Sequence, residues 1–142
     1  MALQLDVITP ERRLLSEQVD SVSVPGAGGE LGILPGHTPL ISELRTGVLS
    51  YTQGADTRRL LVSGGFVEVN DDRVSVLADL AEFPNEVDAA RARAERDEAE
   101  RQLGSFTGEP EELAEVQARF ERASTRLQLA AGDSARSSSS SN

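Results

Sequence analysis

The sequence predicts an α+β protein, with an N-terminal antiparallel β-sandwich of roughly eight to ten strands followed by a C-terminal antiparallel two-helix hairpin. Two observations support this prediction. As far as Ala78, apolar residues alternate with polar ones between closely spaced turns. From Asn85 onward the chain is rich in Ala, Arg and Glu, which are good helix formers. We therefore divide the chain into a β-sandwich domain at 1–84, a helical hairpin at 85–131 and a disordered, serine-rich tail at 132–142.

The strands are recognised by an apolar period of two residues. Such alternation is typical of strands that place one face on a core. It occurs in four segments: Leu3–Val7, Val22–Val24, Val67–Val69 and Val74–Val76. Glycine, proline, asparagine and aspartate mark turns at 25–29, 35–36, 54–56, 63–65 and 70–72. Many short strands with no helical stretch between them indicate a sandwich or flattened barrel.

The two helices have recognisable ends. Asn85 and Asp88 are both candidate N-caps for the first helix, because their side-chain oxygens can accept from free backbone N–H groups. We expect this helix to end at Leu103, since Gly104 suits a C-terminal cap. After a short bend, Pro110 fits the first turn of the second helix.

Each helix has an apolar stripe that predicts how the hairpin packs. The second helix has apolar residues spaced three and four apart: Leu113, Val116, Phe120, Ala123, Leu127 and Ala130. The first helix has a thinner stripe: Val87, Ala90, Ala94, Ala99 and Leu103. Alanines bury little apolar surface, so we expect the isolated hairpin to be marginally stable.

The composition excludes several classes of function. The 142 residues include no cysteine and one histidine, and all fourteen basic residues are arginine. The sequence therefore offers no disulfide, no zinc-thiolate or histidine metal site, no thiol nucleophile and no Schiff-base lysine. A net charge of −10 repels nucleic acid and anionic lipid, so neither is an expected partner. Without an apolar run of about 18 residues or a secretory signal, neither membrane insertion nor export is expected.

No catalytic arrangement is found among the remaining motifs. The glycines between Gly26 and Gly32 lack the spacing of a dinucleotide fingerprint and are better assigned to hairpin turns. Ser63 lacks the preceding glycine of a nucleophile elbow. His37 lies in a predicted loop, where it is either a turn residue or a contact with a partner protein. The sequence thus predicts no catalytic residue and no metal ligand.

Charged residues on the helices allow two interpretations. The second helix has three arginines on one face beside its apolar stripe: Arg119, Arg122 and Arg126. On the first helix, Asp88 and Arg91 share a face. These residues either form a solvated flank, neutralised by neighbours such as Glu95, or bind an anion, since guanidinium groups match phosphate oxygens.

Several segments and their order resemble a known family. The most specific segment is GELGILPGHTPL at 29–40. Two shorter segments, VSGGF at 62–66 and VSVLA at 74–78, resemble segments of the same family. Together with the order of β domain, linker and helical hairpin, they make the chain similar to the epsilon subunit of bacterial F-type ATP synthases. The resemblance extends over nearly all residues up to Ala131.

This resemblance implies a non-catalytic rotor subunit that couples proton flow to ATP synthesis. In that family the β-sandwich binds the gamma subunit and the ring of c subunits, and by resemblance Glu30 and His37 lie at this interface. The family's hairpin either folds on the sandwich or extends along the shaft to the alpha and beta subunits, where it restrains ATP hydrolysis. Arg119 is a further candidate contact residue. The implied location is peripheral, on the cytoplasmic face of the bacterial cell membrane.

The resemblance also implies a nucleotide site. Some family members bind ATP through an Ile/Leu-Asp-x-x-Arg-Ala motif, which this chain matches from Val87 to Ala92 with Asp88 and Arg91 in place. Arg122 and Arg126 match the family's second-helix arginines, and Glu82 matches a further carboxylate. ATP is therefore expected as a regulatory ligand, and no cofactor is expected to be required.

Two other functions are considered beside the rotor subunit. One is a stand-alone soluble ATP-sensing module, which co-purification with gamma would distinguish. The other is a carbohydrate-binding sandwich with a helical appendage, which would need surface aromatic residues. The chain has four Phe and one Tyr, and we expect most of them in the core.

Overall fold

The computed structural model describes the backbone of residues 2–140 and the side chains of residues 2–132. These residues form two compact units, which meet in sequence at Phe83 and Pro84. The first unit is all β and the second is helical. None of the described helices has the length and apolarity needed to cross a membrane.

The first unit is the predicted β-sandwich. Its described strands are β1 Leu3–Ile8, β2 Arg13–Val19, β3 Ser21–Gly26, β4 Gly29–Ile33, β5 Leu40–Glu43, β6 Gly47–Gln53, β7 Asp56–Asn70 and β8 Arg73–Glu82. They are hydrogen-bonded in the order β2-β1-β8-β7-β6-β3-β4, and β5 pairs with β7. All pairs are antiparallel except β1 with β8, which is parallel.

The core lies between the inward faces of these strands, as their apolar period predicts. On β1 the fully buried residues are Leu3, Leu5 and Val7, with half-buried residues between them. On β8 the buried side chains Val74, Val76 and Ala78 follow the same period. Each fully buried Leu or Val contributes about 1.5–3 kcal/mol. The alternation of apolar residues therefore determines which face of each strand becomes the core.

Strand β7 joins the two layers of the sandwich. Its first half pairs with β6, its second half pairs with β5, and β8 runs along its other edge. Between the two halves, Gly64 and Gly65 have φ values of 68° and 96°. The neighbouring Ser63 is buried, and its hydroxyl is 2.7 Å from that of Thr46, which satisfies both groups. The glycine pair is thus the point at which one strand changes partners.

Tyr51, on β6, gives the sandwich a specific alkaline sensitivity. Burial, with a further contribution from Glu17 and an opposing one from Arg58, raises the pKa of its phenol above the usual 10.0. Because the folded state favours the protonated phenol, its contribution to stability is complete below pH 10 and is lost as pH rises through the folded pKa. The chain has no other Tyr, no Cys and no Lys, and arginine stays charged in this range. We expect the urea concentration at half-unfolding, measured by circular dichroism, to decrease as the pH is raised from 9 to 11.

The control for this prediction is Tyr51→Phe, in which the same pH change should leave the urea midpoint nearly unchanged. A Tyr51→Phe protein that loses stability as steeply as the parent between these pH values would assign the alkaline transition to another group.

The second unit begins with a single 3-10 turn, Pro84–Glu86, followed by α1 Ala89–Gly104 and α2 Pro110–Ser140. Asp88, one of the two expected caps, is the N-cap of α1, and its carboxylate accepts from the backbone N–H of Arg91 at 3.1 Å. Helix α1 ends at Gly104, one residue beyond the predicted end, and α2 begins at Pro110 as predicted. The disordered tail at 132–142 stays a prediction: the structure continues the backbone of α2 to Ser140 and describes no side chain beyond Gly132.

The helices pack against each other, but α1 presents a different stripe from the predicted one. On α1 the buried residues are Ala99, which belongs to the predicted stripe, and Ala92, which does not, whereas Ala90 and Ala94 of that stripe are exposed. On α2, Val116 and Ala123 are buried as predicted, the rest of the stripe is half-buried, and Leu129 is also buried. An alanine-rich helix offers several stripes of equal size, so its own sequence does not determine its rotation.

Candidate functional site

The charged residues of the hairpin converge on one carboxylate, that of Glu95 on α1. Its Oε1 atom is 3.0 Å from Nε of Arg91, four residues earlier on the same helix. Its Oε2 atom is 3.4 Å from Nη1 of Arg126 on α2. The Arg126 side chain is only 19% exposed, so this cross-helix pair is partly shielded from water. One carboxylate therefore neutralises guanidinium groups from both helices.

A second cross-helix contact fixes the register of the hairpin. Nη2 of Arg119 on α2 donates to Oε1 of Gln102 on α1 at 2.9 Å. Gln102 lies seven residues after Glu95, and Arg119 lies seven residues before Arg126. The two contacts are therefore one heptad apart on each helix, as expected for antiparallel helices in register.

These contacts line an open groove of about 600 Å³ within the hairpin, which we call the arginine groove. Its lining consists of Arg91, Ala94, Glu95 and Glu98 from α1 and of Arg119, Arg122 and Arg126 from α2. Four guanidinium groups face two carboxylates, so the groove is locally cationic in a chain whose net charge is −10. A groove of this size accommodates a nucleotide-sized ligand, and its charge favours an anion.

The arginines of the groove are unequally neutralised. Arg122 makes no ion pair with any residue that the structure describes, although it lines the groove. Arg119 is hydrogen-bonded to the neutral amide of Gln102. Glu98 pairs with Arg101 and also accepts from Gln102. Two guanidinium groups thus keep an uncompensated positive charge in the groove.

The structure gathers some of the predicted nucleotide residues and separates others. Arg91, Arg122 and Arg126 line the arginine groove together. Asp88 caps α1, and Ala92 is 2% exposed, so its side chain supports helix packing and is not available for contact with a ligand. Glu82 ends β8 in the other unit. The roles of all six in nucleotide binding stay predictions.

Sequence reasoning missed several groove residues. Glu98 and Ala94 line the arginine groove and were not predicted, whereas Arg119 was predicted both as a partner contact and as one of the three arginines of a candidate anion site. Spacing offered a signal: residues three, four and seven positions after Arg91 share its helix face. The dual pairing of Glu95 required the register between the helices, which the sequence of either helix alone does not contain.

The predicted partner residues of the sandwich lie on β4 and on the turn after it. The backbone N–H of His37 donates to the Leu34 carbonyl at 3.1 Å, and Gly36 has a φ of 85°. With Pro35 before that glycine, the turn has the features of type II. The Gly36 N–H also donates to Oδ1 of Asp72 at 2.7 Å, which ties this turn to the one between β7 and β8.

Glu30 and His37 flank β4, Glu30 near the start of the strand and His37 in the turn that follows it. Glu30 is exposed, and its Oε1 accepts from the hydroxyl of Ser23 at 2.7 Å. His37 is half-buried, with Nδ1 2.6 Å from the Thr38 carbonyl oxygen, so its ring orientation is fixed locally. Leu34 is exposed between them. The turn thus presents an imidazole and an apolar side chain, and the Glu30 carboxylate lies on the preceding strand β4.

Several apolar side chains are exposed on the outer side of the sheet. Phe66 on β7 is in register with Leu77 on β8, which is in register with Ile8 on β1, so the three side chains share a face. Ile41 on β5 lies two residue pairs further along, opposite Glu68. Ile41, Phe66 and Leu77 are 72%, 51% and 49% exposed. We call Ile8, Ile41, Phe66 and Leu77 the outer apolar face; contiguous apolar surface of this kind marks a protein interface.

This face corrects the expectation that most aromatic residues lie in the core. Tyr51 is buried, but Phe66 is exposed and the other phenylalanines, Phe83, Phe106 and Phe120, are only half-buried. The alternation of β7 explains the position of Phe66, because Val67 and Val69 occupy the inward face and leave Phe66 outward.

Both units match family models of known proteins. Residues 2–84 match the model described as ATP synthase, Delta/Epsilon chain, beta-sandwich domain. Residues 85–131 match the model described as ATP synthase, Delta/Epsilon chain, long alpha-helix domain. The two models therefore cover nearly the whole chain, in the order of its two units.

Relatives of similar length are found among bacterial proteins. The ATP synthase epsilon chain 2 of Syntrophotalea carbinolica is 44% identical over 128 residues, which cover 90% of this chain and 93% of that relative. The ATP synthase epsilon chain of Anaeromyxobacter dehalogenans is 43% identical over 130 residues, covering 92% and 98% of the two chains.

Solved structures share the fold. A chain of the Euglena gracilis mitochondrial ATP synthase superposes with a TM-score of 0.76 at 22% identity, over 87% of this chain and 78% of that one. A chain of the Tetrahymena thermophila mitochondrial ATP synthase central stalk and c-ring gives 0.65 at 14% identity, over 92% and 97%. At these identities the likeness concerns the fold.

Proposed function

This chain belongs to the ATP synthase delta/epsilon chain family, and we propose that it is the non-catalytic epsilon subunit of a proton-translocating F-type ATP synthase. In this role it is part of the central stalk, couples proton flow to ATP synthesis and performs no chemistry of its own. The supporting observation is the match of both units, in order, at 43–44% identity over at least 90% of the chain. The corresponding location is peripheral, on the cytoplasmic face of the bacterial membrane.

The outer apolar face is the proposed contact with the gamma subunit. Exposed apolar side chains in contiguous positions are costly in water, and covering them with a partner removes that cost. Phe66 contributes most, because aromatic side chains dominate the binding energy of protein interfaces. Glu30 on β4 and the following turn with Leu34 and His37 are the proposed contact with the ring of c subunits.

The hairpin is the proposed regulatory element. The arginine groove offers guanidinium groups that match the phosphates of ATP, and ATP is here a regulatory ligand and not a required cofactor. The same arginines would meet acidic residues of a beta subunit when the hairpin restrains ATP hydrolysis. ATP then favours the non-inhibitory state by its differential affinity for the two states.

Replacing Phe66 with glutamate tests the assignment to the rotor. Position 66 is half exposed, and Glu43 faces it across the β5–β7 ladder, so the Phe66→Glu protein should fold with a loss of stability of about 1 kcal/mol or less. Its affinity for gamma should fall about 100-fold, a typical cost of losing an aromatic anchor. The measurement is co-purification and titration of the full-length chain with gamma.

The control for this experiment is Ala55→Glu, which adds the same charge at the exposed β6–β7 turn and should leave gamma binding unchanged. Failure of the parent chain to bind gamma would reject the rotor assignment. Binding that Phe66→Glu does not weaken would reject only the outer apolar face as the contact.

A stand-alone ATP-sensing module is the second candidate. It is favoured by one observation, that all the residues of the arginine groove come from the hairpin alone. Such a module would bind ATP and would not co-purify with gamma, so the same experiment separates the two functions.

A further inference from the structure

Glu95 lies in the arginine groove where a phosphate group of a ligand would be expected. Its two oxygens face Nε of Arg91 at 3.0 Å and Nη1 of Arg126 at 3.4 Å, one from each helix. Two guanidinium groups that converge on one anion form the arrangement with which arginines hold phosphate oxygens. Here the anion belongs to the chain itself.

We propose that Glu95 is a built-in competitor for the anionic ligand, and that displacement of its carboxylate from Arg91 and Arg126 sets the affinity of the groove for polyphosphate. This inference rests on the proposed binding of ATP and names the residue that limits it. The carboxylate satisfies both guanidinium groups when no phosphate is bound, and a phosphate must compete for the same donors.

The charges of the groove indicate which anions win this competition. Glu95 carries one negative charge, whereas a triphosphate carries several and reaches further along the groove. Arg122 makes no ion pair with a described residue, and Arg119 has only a neutral amide partner, so both remain available to a longer anion. A monophosphate gains little from them once Glu95 is displaced. The groove should therefore prefer triphosphate over monophosphate.

The alternative role for Glu95 is purely structural. The pair with Arg126 joins α1 to α2, and a hairpin packed on alanines has little other binding energy. In that case removing the carboxylate charge loosens the hairpin and does not increase anion binding. Only the competitor role therefore predicts a rise in affinity when the Glu95 charge is removed.

The experiment is calorimetric titration of inorganic triphosphate, and of ATP, into the full-length chain and its Glu95→Gln variant. Glutamine keeps the side-chain length and the helix propensity and removes the charge, so a carboxylate no longer competes with phosphate for Arg91 and Arg126. We expect affinity for both ligands to rise about tenfold, as for the loss of one nearby like charge.

Two further variants isolate the cause of such a gain. Glu100→Gln makes the same change in net charge at an exposed position of α1 outside the groove, and it should leave affinity unchanged. The double variant Glu95→Gln/Arg126→Ala should lose the gain, because one of the released guanidinium groups is missing. Helix content, followed by circular dichroism, should be equal in the parent and Glu95→Gln.

The outcomes separate this inference from the proposed function. Tighter triphosphate binding by Glu95→Gln supports the competitor role, even where ATP binding by the parent is too weak to measure. Measurable ATP binding by the parent that Glu95→Gln leaves unchanged or weakens overturns the competitor role and leaves the regulatory site standing. Absence of triphosphate binding at millimolar concentration in both proteins overturns the inference. The rotor assignment is tested independently by measuring binding to the gamma subunit.

Discussion

Gly65→Ala is expected to lower the stability of the β-sandwich by about 4 kcal/mol or more, a loss that few single substitutions reach. Gly65 has a φ of 96°, which L-residues with a side chain rarely adopt. A Cβ atom there would overlap the carbonyl oxygen of Leu77 and lie 2.9 Å from the Cα atom of Ala78. Both obstacles are backbone atoms of β8, so a rotamer change cannot relieve them.

The position makes the consequence severe. Gly65 pairs with Ala78 in the central β7–β8 ladder, and its carbonyl accepts from the backbone N–H of Leu44 at 2.9 Å. Moving the backbone to admit a methyl group therefore disturbs contacts on both sides of β7. Small domains are stable by only about 5–15 kcal/mol, so the variant should be barely folded or insoluble.

The measurement is urea unfolding followed by the fluorescence of Tyr51, which reports only the sandwich because the chain has one Tyr and no Trp. Gly54→Ala is the matched control. Gly54 also has a positive φ, 61°, but a Cβ there meets no atom within 4 Å, so we expect a loss of only about 1 kcal/mol. Equal decreases in the free energy of unfolding at the two positions would mean that the β8 backbone shifts at little cost and that the overlap does not destabilise the protein.

The sequence predicted the features of the fold that depend on local patterns. Apolar alternation in Leu3–Val7 and Val74–Val76 identified strands and their buried faces, because a period of two is a property of a single strand. Asp88 and Pro110 identified helix starts, because capping also depends on near neighbours. The strand order and the parallel pairing of β1 with β8 depend on contacts distant in sequence, and no local pattern contained them.

In the candidate site, too, local patterns were predictable from the sequence and contacts between distant residues were not. The common face of Arg119, Arg122 and Arg126 was predictable from spacing along one helix. Which residues of α1 face them was not, because alanines at many positions allow several rotations of the helix. The structure buries Ala92 and Ala99, and this rotation brings Glu95 to Arg126. The outward orientation of Phe66 could have been predicted from the sequence, because Val67 and Val69 point inward and their neighbours must point outward.

Arg126→Ala is expected to lower the affinity of the hairpin for both of its proposed partners, ATP and the catalytic part of the synthase. Of the groove arginines, Arg126 is held by a cross-helix pair and is 19% exposed, so its guanidinium group is oriented before a ligand arrives. A charge-assisted hydrogen bond from such a group contributes about 1.5–3 kcal/mol. Its loss should reduce ATP affinity about 10- to 100-fold and should relieve the restraint on ATP hydrolysis.

Two measurements check this expectation: calorimetric titration of ATP, with ADP for comparison, and the ATPase rate of the synthase reconstituted with each variant. Arg93→Ala is the matched control, since Arg93 is an exposed arginine on α1 outside the arginine groove. It should change neither quantity. Comparison of helix content by circular dichroism identifies any effect that comes from loss of the Glu95 pair alone.

The combination of results assigns the role of Arg126. A loss of ATP affinity together with faster hydrolysis supports one cationic surface that serves two competing anionic partners. If only ATP affinity or only the restraint on hydrolysis is lost, the nucleotide and the beta subunit use different arginines. Arg122 is then the remaining candidate, because it makes no ion pair with a described residue. Unchanged affinity and unchanged hydrolysis would leave Arg126 only the role of joining the two helices through its pair with Glu95.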